Sequence, residues 1–112
     1  MAIQTAKTDS VVSLGDDDLE TVVGDSHVAL VEFYTEWCDT CKRMEPTLEA
    51  LAADTEATVL TIDIESNLET AVEFGAQSTP TFVLFADGQP VKQLRGGQNE
   101  QALRDLIARY RD

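Results

Sequence analysis

Three short apolar runs, Val28 to Tyr34, Val59 to Ile64 and Thr81 to Ala86, constrain most tightly what this chain can fold into. Each reads as a buried strand bounded by turn signals. The segments between them carry helical spacing instead. Met44, Leu48, Leu51 and Ala52 recur on one face of a helix expected from about Cys38–Thr40 to Ala53, with a kink at Pro46. Leu68, Ala71, Val72 and Phe74 indicate a second, shorter helix closed by Gly75. Strands alternating with helices imply an α/β domain around a partly parallel sheet.

The flanks complete the pattern. Val11 to Leu14 reads as a short strand, and Gly15-Asp16-Asp17-Asp18 suits a helix start, because acids favour the positive end of the helix dipole. Leu19, Val22 and Val23 give that helix an apolar side, and Gly24 and Asp25 end it. After the third core strand, Asp87-Gly88 makes a tight turn and Val91 to Leu94 pairs back as an antiparallel edge. Gly96-Gly97 stops that strand. A last helix runs from about Asn99 to Arg111, with Leu103, Leu106, Ile107 and Tyr110 inward. The expectation is one domain over residues 11–112, a central mixed sheet of four to five strands flanked by about four helices, preceded by a flexible leader over residues 1–10.

At 112 residues and 43% hydrophobic content, one domain can bury a sufficient core. No apolar stretch is long enough to span a bilayer, and the polar first ten residues carry no secretory signal core, so no membrane association is expected. The formal net charge is −13, from 21 acidic and 8 basic side chains. Nucleic acid is thereby excluded as a ligand, since phosphate binding needs a basic face. The acids are scattered rather than gathered in a tail, and lysine is confined to Lys7, Lys42 and Lys92. Such a surface keeps a protein soluble; it also suggests adaptation to high salt, where screening relieves self-repulsion.

Chemistry enters with the two cysteines, Cys38 and Cys41. A bond between residues three apart closes a tiny loop and contributes little as a staple, which favours a reactive role. Both sit where a strand gives way to a helix. Free backbone N–H groups and the dipole at a helix start lower a thiol's pKa and make the thiolate a usable nucleophile. One turn further on, the second sulfur can reach the first. A zinc site would require four ligands, and the chain offers only these cysteines and His27. Two inert buried thiols are the remaining alternative. His27 itself reads as a turn residue rather than a base.

The stretch from Ala29 to Lys42, with Glu36-Trp37-Cys38-Asp39-Thr40-Cys41-Lys42 at its end, resembles the active-site segment of the thioredoxin family. The likeness continues through Pro46, Ser78-Thr79-Pro80-Thr81, Phe85-Ala86-Asp87-Gly88 and Gly96, and covers about residues 11–112. Several motifs in order are far more specific than one short pattern. The resemblance implies a thioredoxin-like fold and a protein-disulfide reductase. Its catalytic pair would be Cys38, the attacking thiolate, and Cys41, the resolving thiol, cycling through a Cys38–Cys41 disulfide with no other cofactor or metal. It implies a cytoplasmic monomer recharged by thioredoxin reductase and acting on disulfide-containing proteins. Trp37 would form an apolar contact surface, or else be an ordinary core residue. The backbone of Thr79 would pair with an extended substrate segment, Pro80 would be a cis-proline against the dithiol, and Gly96 would leave room for the substrate.

Glu32 interrupts the apolar run of its strand. A buried carboxylate is costly unless paired or protonated, so its pKa should be raised, and it becomes a candidate proton shuttle for Cys41. The alternative is a glutamate turned to solvent or to a local hydrogen bond. Thioredoxins usually carry aspartate here and disulfide isomerase domains glutamate. The chain also departs from the family by Asp39-Thr40 between the cysteines in place of Gly-Pro, and by Thr61 in place of a lysine near the buried acid. The Asp39 charge should disfavour a neighbouring thiolate and lower the reduction potential. The competing readings are a disulfide oxidase or isomerase and a binding module with an idle dithiol.

Overall fold

A computed structural model of the chain describes residues 10–15 and 18–111. The expected leader over 1–10, Ser10 apart, lies outside the described residues, as do Asp16 and Asp17 of the first helix start. The elements follow in the order β1 (Val12–Ser13), α1 (Leu19–Gly24), β2 (Val28–Tyr34), α2 (Asp39–Asp54), β3 (Thr58–Asp63), α3 (Leu68–Glu73), β4 (Thr81–Ala86), β5 (Gln89–Arg95) and α4 (Glu100–Tyr110). The strands form one sheet in the order β1-β3-β2-β4-β5, with β2 at its centre.

Alternate residues of the core strands feed two separate cores. Val28, Leu30, Val59, Phe82 and Leu84 pack under α2 and α4, against Met44, Leu48, Leu51, Leu103 and Ile107. Ala29, Val31, Phe33, Leu60, Ile62, Val83 and Phe85 face the other way, onto Leu19 and Val23 of α1 and Ala71 of α3. Because both faces are covered, these strands are apolar throughout rather than alternating. Pro46 lies inside α2, which continues past it to Asp54.

β1, β3 and β2 run parallel, whereas β4 is antiparallel to both β2 and β5. The change of direction therefore comes one strand earlier than the terminal hairpin alone would give. The segment between β3 and β4, which contains the six-residue α3, leaves the chain at the end of the sheet where β3 finished, so β4 runs back antiparallel to β2.

Two further details differ from the sequence pattern. In α3 the apolar Leu68 and Val72 face solvent, at 63% and 79% exposure, while Thr70 and Ala71 point inward. Strand β5 begins at Gln89 rather than Val91, because pairing with β4 holds it along its whole length. Its Pro90 is tolerated on an edge strand, and one extra residue, Val91, is accommodated opposite the Leu84–Phe85 step. The hairpin closes through Asp87 and Gly88, at φ 51° and 84°, the left-handed pair that matches strand twist in two-residue turns.

Candidate active site

Cys38 is the residue that starts α2. Its backbone is extended, and its Sγ accepts a hydrogen bond from the Cys41 N–H at 3.0 Å, the place usually taken by a capping oxygen. A sulfur held there faces the free N–H groups of the first turn, which stabilise a thiolate. The structure holds the two cysteines as a disulfide, with Cα atoms 5.2 Å apart, within the usual span of such a bond. Cys38 is partly exposed and Cys41 buried, so Cys38 is the sulfur more open to solvent. Trp37 is 78% exposed beside it. An aromatic of that size in water is not part of the core, which removes the packing alternative for this residue. Arg43 reaches back to donate to Thr40 Oγ1 at 3.0 Å.

Glu32 lies on the face of β2 that packs beneath α2, in the series Val28, Leu30, Glu32. Its neighbours across the sheet are Thr61 on β3 and Phe82 on β4. The side chain is 3% exposed, and its Oε2 makes no hydrogen bond. Burial, reinforced by the charge of Glu45, raises its pKa to about 7. Glu32 and Cys41 border one cavity of about 530 Å³, together with Thr61, Lys42 and Glu45. The carboxyl and the less accessible cysteine are thus brought to the same space.

The loops on the other side complete the surroundings. The Thr79–Pro80 bond is cis, Pro80 is buried and Thr79 partly so. The Pro80 carbonyl accepts from the Gly96 N–H at 2.8 Å. Gly96 adopts φ 84°, and a Cβ placed on it would meet nothing within 4 Å. Its glycine identity is therefore set by the backbone, not by a crowded neighbour. The tight approach belongs to Gly97, where a Cβ would lie 3.0 Å from Thr40 Cγ2, between the cysteines. Sequence reading gave Gly96 a place beside the substrate but took Gly97 only as part of a strand stop, and so missed it as a neighbour of the dithiol. Glu45 was also missed, although its position four residues after Cys41 places both on one side of a helix. His27, just before β2, pairs at 2.6 Å with Asp87 of the β4–β5 turn. Among the described residues no His, Cys, Asp and Glu group is arranged to hold a metal ion, and no helix is long and apolar enough to cross a membrane.

A helix-capping cysteine pair, a buried acid beneath it and a cis-proline loop beside a glycine turn suit thiol–disulfide exchange. The family model described as thioredoxin matches residues 10–109. The chain belongs to the thioredoxin family. Thioredoxin from Staphylococcus aureus is 38% identical over 103 residues, covering 90% of this chain and 98% of that protein. A mutant thioredoxin from Halobacterium salinarum NRC-1 superposes with a TM-score of 0.92 at 41% identity, covering 96% of each chain. Thioredoxin from Fasciola hepatica gives 0.80 at 32% identity over 88% of this chain and 97% of its own. The five-strand mixed sheet with four helices is the thioredoxin-like fold, and the chain is a thioredoxin-type protein-disulfide oxidoreductase acting as a reductase.

Proposed function

We propose that this thioredoxin works by a two-step exchange in which Cys38 attacks, Cys41 resolves and Glu32 takes the proton from Cys41. The observation that carries the reading is the shared cavity: a buried carboxyl with a pKa of about 7 borders the same space as the buried cysteine. In the reduced protein, the Cys38 thiolate forms a bond to one sulfur of a substrate disulfide, and the other substrate sulfur leaves as thiolate and is protonated. The Cys41 thiol then gives its proton to the Glu32 carboxylate. Its sulfur bonds to Cys38 Sγ, and the second substrate thiolate departs. Two electrons pass from the dithiol to the substrate disulfide, leaving the Cys38–Cys41 bond. Trp37, Thr79, Pro80 and Gly96 form the bed for the substrate segment, the Thr79 backbone pairing with it as an added strand. The pair itself serves as the redox group, without further cofactor or metal.

The electron donor is a thioredoxin reductase and the substrates are disulfide-containing proteins, met by a cytoplasmic monomer. The charge of −13 and the likeness to a Halobacterium salinarum thioredoxin support adaptation to high salt. Asp39, in the first turn beside Cys38, favours a low reduction potential and hence the reducing direction. Insulin reduction by a small thiol tests the cycle. Cys38→Ser should abolish turnover, and Cys41→Ser should accumulate mixed disulfides. Turnover surviving Cys38→Ser would overturn the assignment, and a potential in the isomerase range against glutathione would refute the direction.

A further inference from the structure

The cavity beneath the cysteines holds a second carboxylate that the exchange chemistry does not itself require. Glu45 follows Cys41 by one turn of α2, so the two side chains share a helix face, and both border the cavity that Glu32 borders. They differ in depth. Cys41 and Glu32 are buried at 4% and 3% exposure, whereas Glu45 is exposed. The titratable and charged groups around this space are Tyr34 on β2, Glu36 before α2, and Cys41, Lys42, Glu45 and Glu49 on α2. β1 and β3 contribute only uncharged side chains there, and the β4 residue paired with Glu32 is Phe82. With no hydrogen bond to its Oε2, Glu32 keeps its proton first because it is buried, and the charged neighbours adjust the pH at which it lets go.

We propose that Glu45 is a positioning residue for the exchange reaction: acting through Glu32 across the cavity, it sets the pH at which Cys41 can be deprotonated and makes that pH depend on ionic strength. The inference rests on the reading of Glu32 as proton acceptor. A negative charge at the rim opposes a second one below it, so Glu32 holds its proton to higher pH. Because Glu45 reaches solvent, salt screens its side of the pair. The Debye length falls from about 10 Å at 0.1 M to about 3 Å at 1 M. Concentrated salt therefore frees Glu32 to ionise at lower pH, extending proton acceptance from Cys41 toward acid. The proton in question leaves Cys41 Sγ as the Cys38–Cys41 bond forms, and no electron passes through either carboxylate.

The oxidised protein gives a clean readout, since its cysteines do not titrate. Carboxyl-carbon NMR should follow Glu32 in the parent protein, Glu45→Gln and Glu45→Lys, with potassium chloride varied over the range in which each is folded. Glu45→Gln should lower the Glu32 midpoint by roughly half a pH unit, the scale of a like charge across a solvent-edged gap, and Glu45→Lys by more. Added salt should lower the midpoint of the parent and leave that of Glu45→Gln nearly unchanged. The acid limb of insulin reduction should move with the midpoint. An unchanged midpoint in Glu45→Gln overturns the inference. If Glu32→Gln alters the pH profile of turnover while Glu45→Gln does not, the Glu45 role fails and the proton-acceptor reading survives. If Glu32→Gln leaves that profile unchanged, the acceptor reading fails and the Glu45 inference falls with it.

Discussion

Replacing Glu32 by Gln should make the oxidised protein more stable at pH 8 than its parent, and leave it little changed near pH 4. The sign follows from linkage. Glu32 ionises at 4.5 in an unstructured chain and near 7 in the fold, so between these values the native state binds more protons than the unfolded one. Stability therefore falls as pH rises through that window, and the loss is complete above the folded pKa. At about 1.4 kcal/mol per pH unit, the window amounts to roughly 3 kcal/mol. The group is 3% exposed, so bulk solvent screens little of this. Desolvation of the glutamine amide reduces the gain, which sets 3 kcal/mol as its ceiling. Urea unfolding of both proteins from pH 4 to 8, at one salt concentration and with the disulfide intact, measures the difference. Taking the difference at each pH cancels the other carboxylates. Two curves that stay parallel across the window would refute a buried, proton-holding Glu32.

Trp37→Ala should lower insulin reduction several-fold and leave the unfolding free energy within about 0.5 kcal/mol of the parent's, the usual range for surface changes, because the ring is 78% exposed. Gly97→Ala should impair turnover and stability together, since the added methyl would lie 3.0 Å from Thr40 Cγ2; combining it with Thr40→Ser, which deletes that methyl, should restore both. Asp87→Asn should lower the His27 pKa, which the hydrogen bond to Asp87 holds above its ordinary value, as proton NMR of the imidazole would report. Whatever stability that pair contributes is present below pH about 6.5 and fades as pH rises through the folded pKa.

The parts of the fold legible in the sequence were those written in local burial. β2 and β4 match their apolar runs residue for residue because cores cover both of their faces. The α4 face was equally plain, with Asn99 capping it through Ala102 N–H. Features set by a partner were less visible. The length of β5 is dictated by β4, and the outward Leu68 and Val72 follow from how a very short α3 is seated. In the site, Glu32 was conspicuous because a carboxylate inside an apolar strand demands a reason. Its cross-strand neighbour, Thr61, also stands where the family comparison put it. Glu45 and Gly97 carried no comparable anomaly, since an acid on a helix and a glycine after a strand are unremarkable until the cavity and the loop are assembled.

The contact between Gly97 and Thr40 bears on any attempt to retune this protein by exchanging the two residues between its cysteines. Treated as a cassette, that pair would be free to vary while the scaffold stays constant. Here the cassette abuts a loop that is also tied to the Pro80 carbonyl through Gly96. A bulkier residue at position 40 would press on the same loop that frames the proline. Potential and substrate fit would then change together, so libraries that vary positions 39 and 40 should vary position 97 with them.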